Sequence, residues 1–159
     1  MKLDKQVCTL DQSKKLVELG VKQDANFYWK VNEIQTVITD FEMKRMIERS
    51  LPGINEYFPA YTEAELLKML PFIIGCKNGL DDDYFLSIHG GRNGWHIQYK
   101  TNKGDVIVNS DGDIDRAVGY LHNTYRVAYD LADCAARYLI MLLESKTLPA
   151  EEVNKRIAA

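Results

Sequence analysis

The sequence predicts an α+β fold in which a small antiparallel β-meander packs against an amphipathic C-terminal helix, with additional short helices around them. Three observations carry this expectation. Between Tyr84 and Asn109, three short runs alternate apolar and polar residues and are separated by glycine-bearing turns, the period of two that marks a half-buried antiparallel sheet. In the stretch ending at Glu144, Ala128, Leu131, Ala132, Ala135, Leu139, Leu142 and Leu143 recur at helical spacing on one face, with Asp130, Asp133, Arg137 and Glu144 opposite, so the helix can cover the apolar side of the sheet. Capping-box patterns at Thr9 and Thr62 mark two further helix starts upstream.

Taken in order, Thr9 with Gln12 opens a helix over Leu10–Leu19, and Gly20 closes it in the left-handed conformation with Val21 touching Leu16. Phe27-Tyr28-Trp29 and Ile34 to Thr39 are rich in aromatic and β-branched residues, which predicts two short strands or one bent one. Asp40 then caps a helix carrying Phe41, Met43, Ile47 and Leu51, ended by Pro52-Gly53. Thr62 and Glu65 cap the next helix, Tyr61 staples onto Leu66, and Pro71 stops it. Phe72 to Cys76 reads as an extended segment.

In the meander, Tyr84, Leu86 and Ile88 share one face with Trp95, Ile97, Tyr99, Val106 and Val108. The loop Thr101–Gly104 sets Lys100 opposite Asp105, while the Gly90–Gly94 turn leaves His89 and His96 either opposite or diagonal. Asp113 caps a short helix through Leu121, and the last long helix starts at Thr124 or Asp130. Residues 1–148 are expected as a single domain, with 149–159 as a peripheral helical turn or a frayed end.

Composition bounds the function. The chain's 159 residues are 46% hydrophobic and 27% charged, which suits one ordinary globular domain. A net charge of −3 supplies no general attraction for phosphate backbones, so nucleic acid is not the expected partner. Cys8, Cys76 and Cys134 are odd in number and widely spaced, which predicts reduced thiols in a cytoplasmic protein. Neither a signal core nor a bilayer-length apolar run is present.

The sharpest chemical candidate is the polar face of the meander, where Ser87, His89, His96, Gln98 and Asn109 fall side by side near Asp111. Two imidazoles there, His89 and His96, would suit a divalent metal in a hydrolase or nuclease; the plainer reading is a solvated sheet face, since no HxH or HExxH spacing is present. Asn109, Asp111, Asp113 and Asp115 imitate a calcium loop but place Ile114 where glycine is needed and Tyr120 where glutamate is needed. The Gly90–Gly94 run with Arg92 is better explained by a hairpin turn than by a phosphate cradle. Arg92, Trp95, His96, Tyr99 and Lys100 interleave basic and aromatic residues as single-strand binders do, yet alternation splits them between faces. Asp81 to Asp83 read as a solvated turn rather than an acid–base cluster. Ile140 and Met141 flank the buried stripe and extend either the core or a partner-binding edge. Arg92, Gln98, Ile140 and Met141 are therefore the interaction candidates; no cofactor loop and no catalytic pair stands out.

The segments Val7-Cys8-Thr9-Leu10 to Leu19-Gly20-Val21, Phe27-Tyr28-Trp29, Ala60-Tyr61-Thr62 with Leu70-Pro71, Trp95, and Leu131-Ala132-Asp133 to Leu142-Leu143-Glu144 together resemble a group of small proteins of gut anaerobic bacteria, often encoded in prophages or mobile elements. The segment Asp111–Tyr129 is longer than in that group. The resemblance is nearly silent on activity and carries over no catalytic residue. Because no nucleophile–base pair, cofactor loop or metal spacing stands out, the expected role is that of a non-enzymatic phage- or mobile-element accessory protein that binds an unknown protein partner.

Overall fold

In the computed structural model, which describes residues 3, 6–31, 35–49, 56–74, 84–91, 94–100 and 130–158, three helices begin with the same side-chain device. Helix α1 (Leu10–Glu18) and helix α3 (Glu63–Met69) follow Thr9 and Thr62, whose hydroxyls accept the N–H three residues on while Gln12 and Glu65 accept the threonines' own N–H. Helix α2 (Asp40–Arg49) is capped one residue earlier than expected. Thr39 rather than Asp40 is the cap, because the Glu42 carboxylate accepts the Thr39 N–H at 2.9 Å and Thr39 Oγ1 accepts the Glu42 N–H at 3.2 Å. Such a reciprocal pair satisfies two donors, one more than the single N–H that a lone aspartate cap accepts.

Gly20, with φ +88°, ends α1 as expected. Its N–H donates to Val17 O and the Val21 N–H to Leu16 O, both at 3.0 Å, which is the paired bonding of a Schellman stop. Val21 and Leu16 are both buried in the main core.

Six strands form two antiparallel three-stranded sheets among the described residues. The first pairs β1 (Phe27–Val31) with β2 (Thr36–Thr39) on one side and with β3 (Glu56–Pro59) on the other. Strand β3 was not anticipated: four residues ending in proline give too short a pattern to read, and proline is tolerated there because β3 is an edge. In the second sheet, β5 (Tyr84–Gly91) lies between β4 (Ile73–Ile74) and β6 (Gly94–Lys100). The meander's first two runs are thus β5 and β6, joined by β4 from the expected extended segment. Its third run, Val106–Val108, the Thr101–Gly104 turn and the helix expected at Asp113–Leu121 lie outside the described residues, as does the choice of Thr124 for a helix start.

Asp130 caps the long helix α4 (Leu131–Glu144), its carboxylate accepting the Ala132 N–H at 2.9 Å. This helix is buried on more than one side. Ala132, Cys134, Ala135, Ala136, Tyr138, Leu139 and Leu142 are all 0% exposed, and α4 packs against α1, α3 and β6. A stripe of small residues explains how three neighbours fit, since alanine lets a helix axis approach its partners closely. On the α1 side, Gln12 Nε2 donates to Asp133 Oδ1 at 2.6 Å, and Lys15 pairs with Glu144 at 3.1 Å.

Of the two alternatives for the C-terminal segment, a peripheral helical turn or a frayed end, the described residues 149–158 take the helical one. They form helix α5 (Ala150–Ala158), not a frayed end, and Val153 is fully buried. Asn154 fastens the helix to the end of α1, donating from Nδ2 to Gly20 O at 2.9 Å and accepting the Lys22 N–H at 2.8 Å. Val153, with Ala150 and Ile157 packed beside it, and the asparagine clamp dock this otherwise charged helix.

Helix α2 is covered far less than α4. Of its apolar residues only Met43 is buried, while Phe41 is 72% and Ile47 53% exposed.

These packing differences have measurable outcomes in urea unfolding. Leu139→Ala is expected to cost about 2–5 kcal/mol, by lost transfer energy and cavity formation, whereas Phe41→Ala should stay within about 0.5 kcal/mol. Val153→Asp should destabilise by more than about 3 kcal/mol because it buries an unpaired charge; a silent Val153→Asp would show that α5 does not dock.

Candidate functional site

The β5–β6 hairpin settles the histidine register. Ser87 faces Gln98, Ile88 faces Ile97, and His89 stands directly opposite His96, so the opposite rather than the diagonal alternative is adopted. Alternation then divides the hairpin into two faces. The inner one carries Ile97 and Tyr99, both in the main core with α4, and the partly buried Leu86 and Trp95. Tyr99 donates to Pro71 O at 2.6 Å and lies 5.9 Å from the Tyr138 ring, and Cys134 Sγ donates to Trp95 O at 3.4 Å. With Tyr99 at 0% exposure, its ring is not offered to a nucleic-acid base.

Gly90, within the glycine-rich run, has a packing reason for its identity. A Cβ there would sit 3.0 Å from the Trp95 ring, so the bare backbone makes room for the indole. Arg92, Asn109, Asp111, Cys76 and Asp81 to Asp83 lie outside the described residues.

The outer face holds Phe85, Ser87, His89 and Gln98, with His96 and Lys100 at the matching register positions. Ser87 Oγ and His89 Nε2 are 2.6 Å apart, a hydrogen bond in which the hydroxyl or the ring N–H donates according to the imidazole tautomer. This face is not uniformly solvated, as the sequence implied. Gln98 is only 6% exposed, and its Oε1 has no hydrogen-bond partner among the described residues. Among the described residues, no group of three or more His, Cys, Asp or Glu comes together in a form able to hold a metal ion.

Beside these polar groups the face is apolar, a feature missed in the sequence. Ile73 of β4 pairs opposite Phe85, and the Phe72 ring stands edge-on to Phe85 at 6.3 Å and 74°. Phe72 is 67% and Ile73 44% exposed. The signal was the Phe72-Ile73-Ile74 run itself; what the sequence did not disclose was its place beside β5. Ile140 and Met141, the other expected interaction residues, are half-buried and pack against the main core.

A second small core lies on the opposite side of the first sheet from the main one. Val7, Leu10, Trp29 and Ala60 are buried there, with Phe27, Val31, Val37 and Phe58 packed around them. Trp29 Nε1 donates to Cys8 O at 2.9 Å, and Lys14 Nζ sits 5.2 Å from the centre of the Phe58 ring. A cavity of about 270 Å³ is lined in part by Asp24, Asn26, Asp40, Glu65, Lys68 and Met69. Its carboxylates are largely engaged: Glu65 Oε1 accepts the Asn26 N–H at 2.8 Å, Glu65 Oε2 the Thr62 N–H at 2.8 Å, and Asp40 pairs with Lys44 at 2.6 Å.

The described thiols are poor nucleophiles. Burial pushes Cys8 up to about 12 and Cys134 up to about 11 from an ordinary 9.0, and the thiolate is the reactive form. Burial also raises the Tyr61 and Tyr99 hydroxyls. These shifts have one sign. As pH rises above about 9, unfolded chains lose thiol protons that the folded protein retains, so stability falls through the interval up to the folded values. Urea midpoints measured between pH 8 and pH 10.5 should decrease, and alkylation of Cys8 and Cys134 at pH 8, mapped by mass spectrometry, should be slow until the protein unfolds. Rapid alkylation of either native thiol would contradict its burial.

Among the described residues, no helix is long and apolar enough to cross a membrane. No protein-family model matches the chain, and neither a curated protein nor a solved structure matches it.

Proposed function

We propose that the protein is a non-enzymatic accessory protein, of the kind carried by phages or mobile elements, that binds a protein partner through the outer face of its second sheet. The observation that carries this reading is the exposure of Phe72 and Ile73, 67% and 44%, beside Phe85 on the strand pair β4–β5. Large apolar side chains grouped on a surface and rimmed by polar groups mark interaction sites. Ser87 and His89 supply such a rim on the same face. The partner expected is a protein presenting an apolar surface of its own.

The test is affinity purification of tagged protein from lysate of its native host, comparing wild type with a Phe72→Asp, Ile73→Asp double variant. Stoichiometric retention by wild type and its loss in the double variant is expected, with the urea midpoint nearly unchanged because both residues are exposed. Retention of the same partner by the double variant would move the interaction off this face. Met141→Ala should lower stability and leave the partner in place.

A second reading, a divalent-metal site serving a hydrolase or nuclease, is favoured by the direct pairing of His89 and His96 in the backbone register. Two histidines at facing register positions supply ligand types that zinc and nickel accept. Isothermal titration with zinc should then show stoichiometric binding that is abolished in both His89→Ala and His96→Ala. Absence of stoichiometric metal from wild-type protein removes this reading.

A further inference from the structure

We draw no further inference here: the strongest candidate, the cavity lined by Asp24, Asp40, Glu65 and Lys68 between the turn before β1 and helices α2 and α3, is a cluster of acids in which Glu65 and Asp40 are already engaged by Asn26, Thr62 and Lys44, and no second observation points to a ligand there.

Discussion

The close approach that alanine permits along α4 is the constraint on which the other packing depends. Ala132, Ala135 and Ala136 are completely buried, and α1, α3 and β6 all pack against this helix. Larger residues at those positions would push these elements outward, and the bonds that tie α4 to α1 and to the second sheet hold only at short range. Gln12 reaches Asp133, Cys134 reaches Trp95 O, and the Tyr138 ring meets Tyr99. Such contacts are individually modest, about 1 kcal/mol for a hydrogen bond. Their value lies in orientation, because they hold the second sheet with its inner face on the core and its other face turned away.

That orientation separates chemical roles. Aromatic hydroxyls and thiols are drawn inward, where burial keeps them protonated and the thiols unreactive. Histidine, serine and exposed apolar groups are left on the outer side. Covalent catalysis by the described cysteines is therefore disfavoured.

Local signals were legible in the sequence, and long-range ones were not. The Thr9 and Thr62 boxes and the Gly20 stop depend on residues within a few positions of each other, so spacing alone reveals them, whereas Asp130 was one of two helix starts that spacing left open. Thr39 was overlooked in favour of Asp40 although Glu42 stands at the box position. Alternation correctly put Ile97 and Tyr99 inside and Ser87 and His89 outside. Strand β3 and the pairing of β4 with β5 depend on partners distant in the chain, which no local pattern encodes. For the same reason the exposure of Phe41 and Ile47 was not legible: apolar spacing on a helix indicates a face, not whether anything covers it. The candidate site was half visible, its histidines from alternation but its apolar neighbours only from strand order.

The Asn154 clamp has a consequence for how local opening is coupled to the whole. Its two bonds join residues 134 and 132 positions apart, yet the gap is short in space once α4 is held against α1. The Lys22 amide, on an exposed residue, has its hydrogen held by a side chain from the far end of the chain. Its exchange with solvent deuterium is therefore governed by detachment of α5 and not by fraying of α1. One surface amide thus reports whether the C-terminal helix is seated.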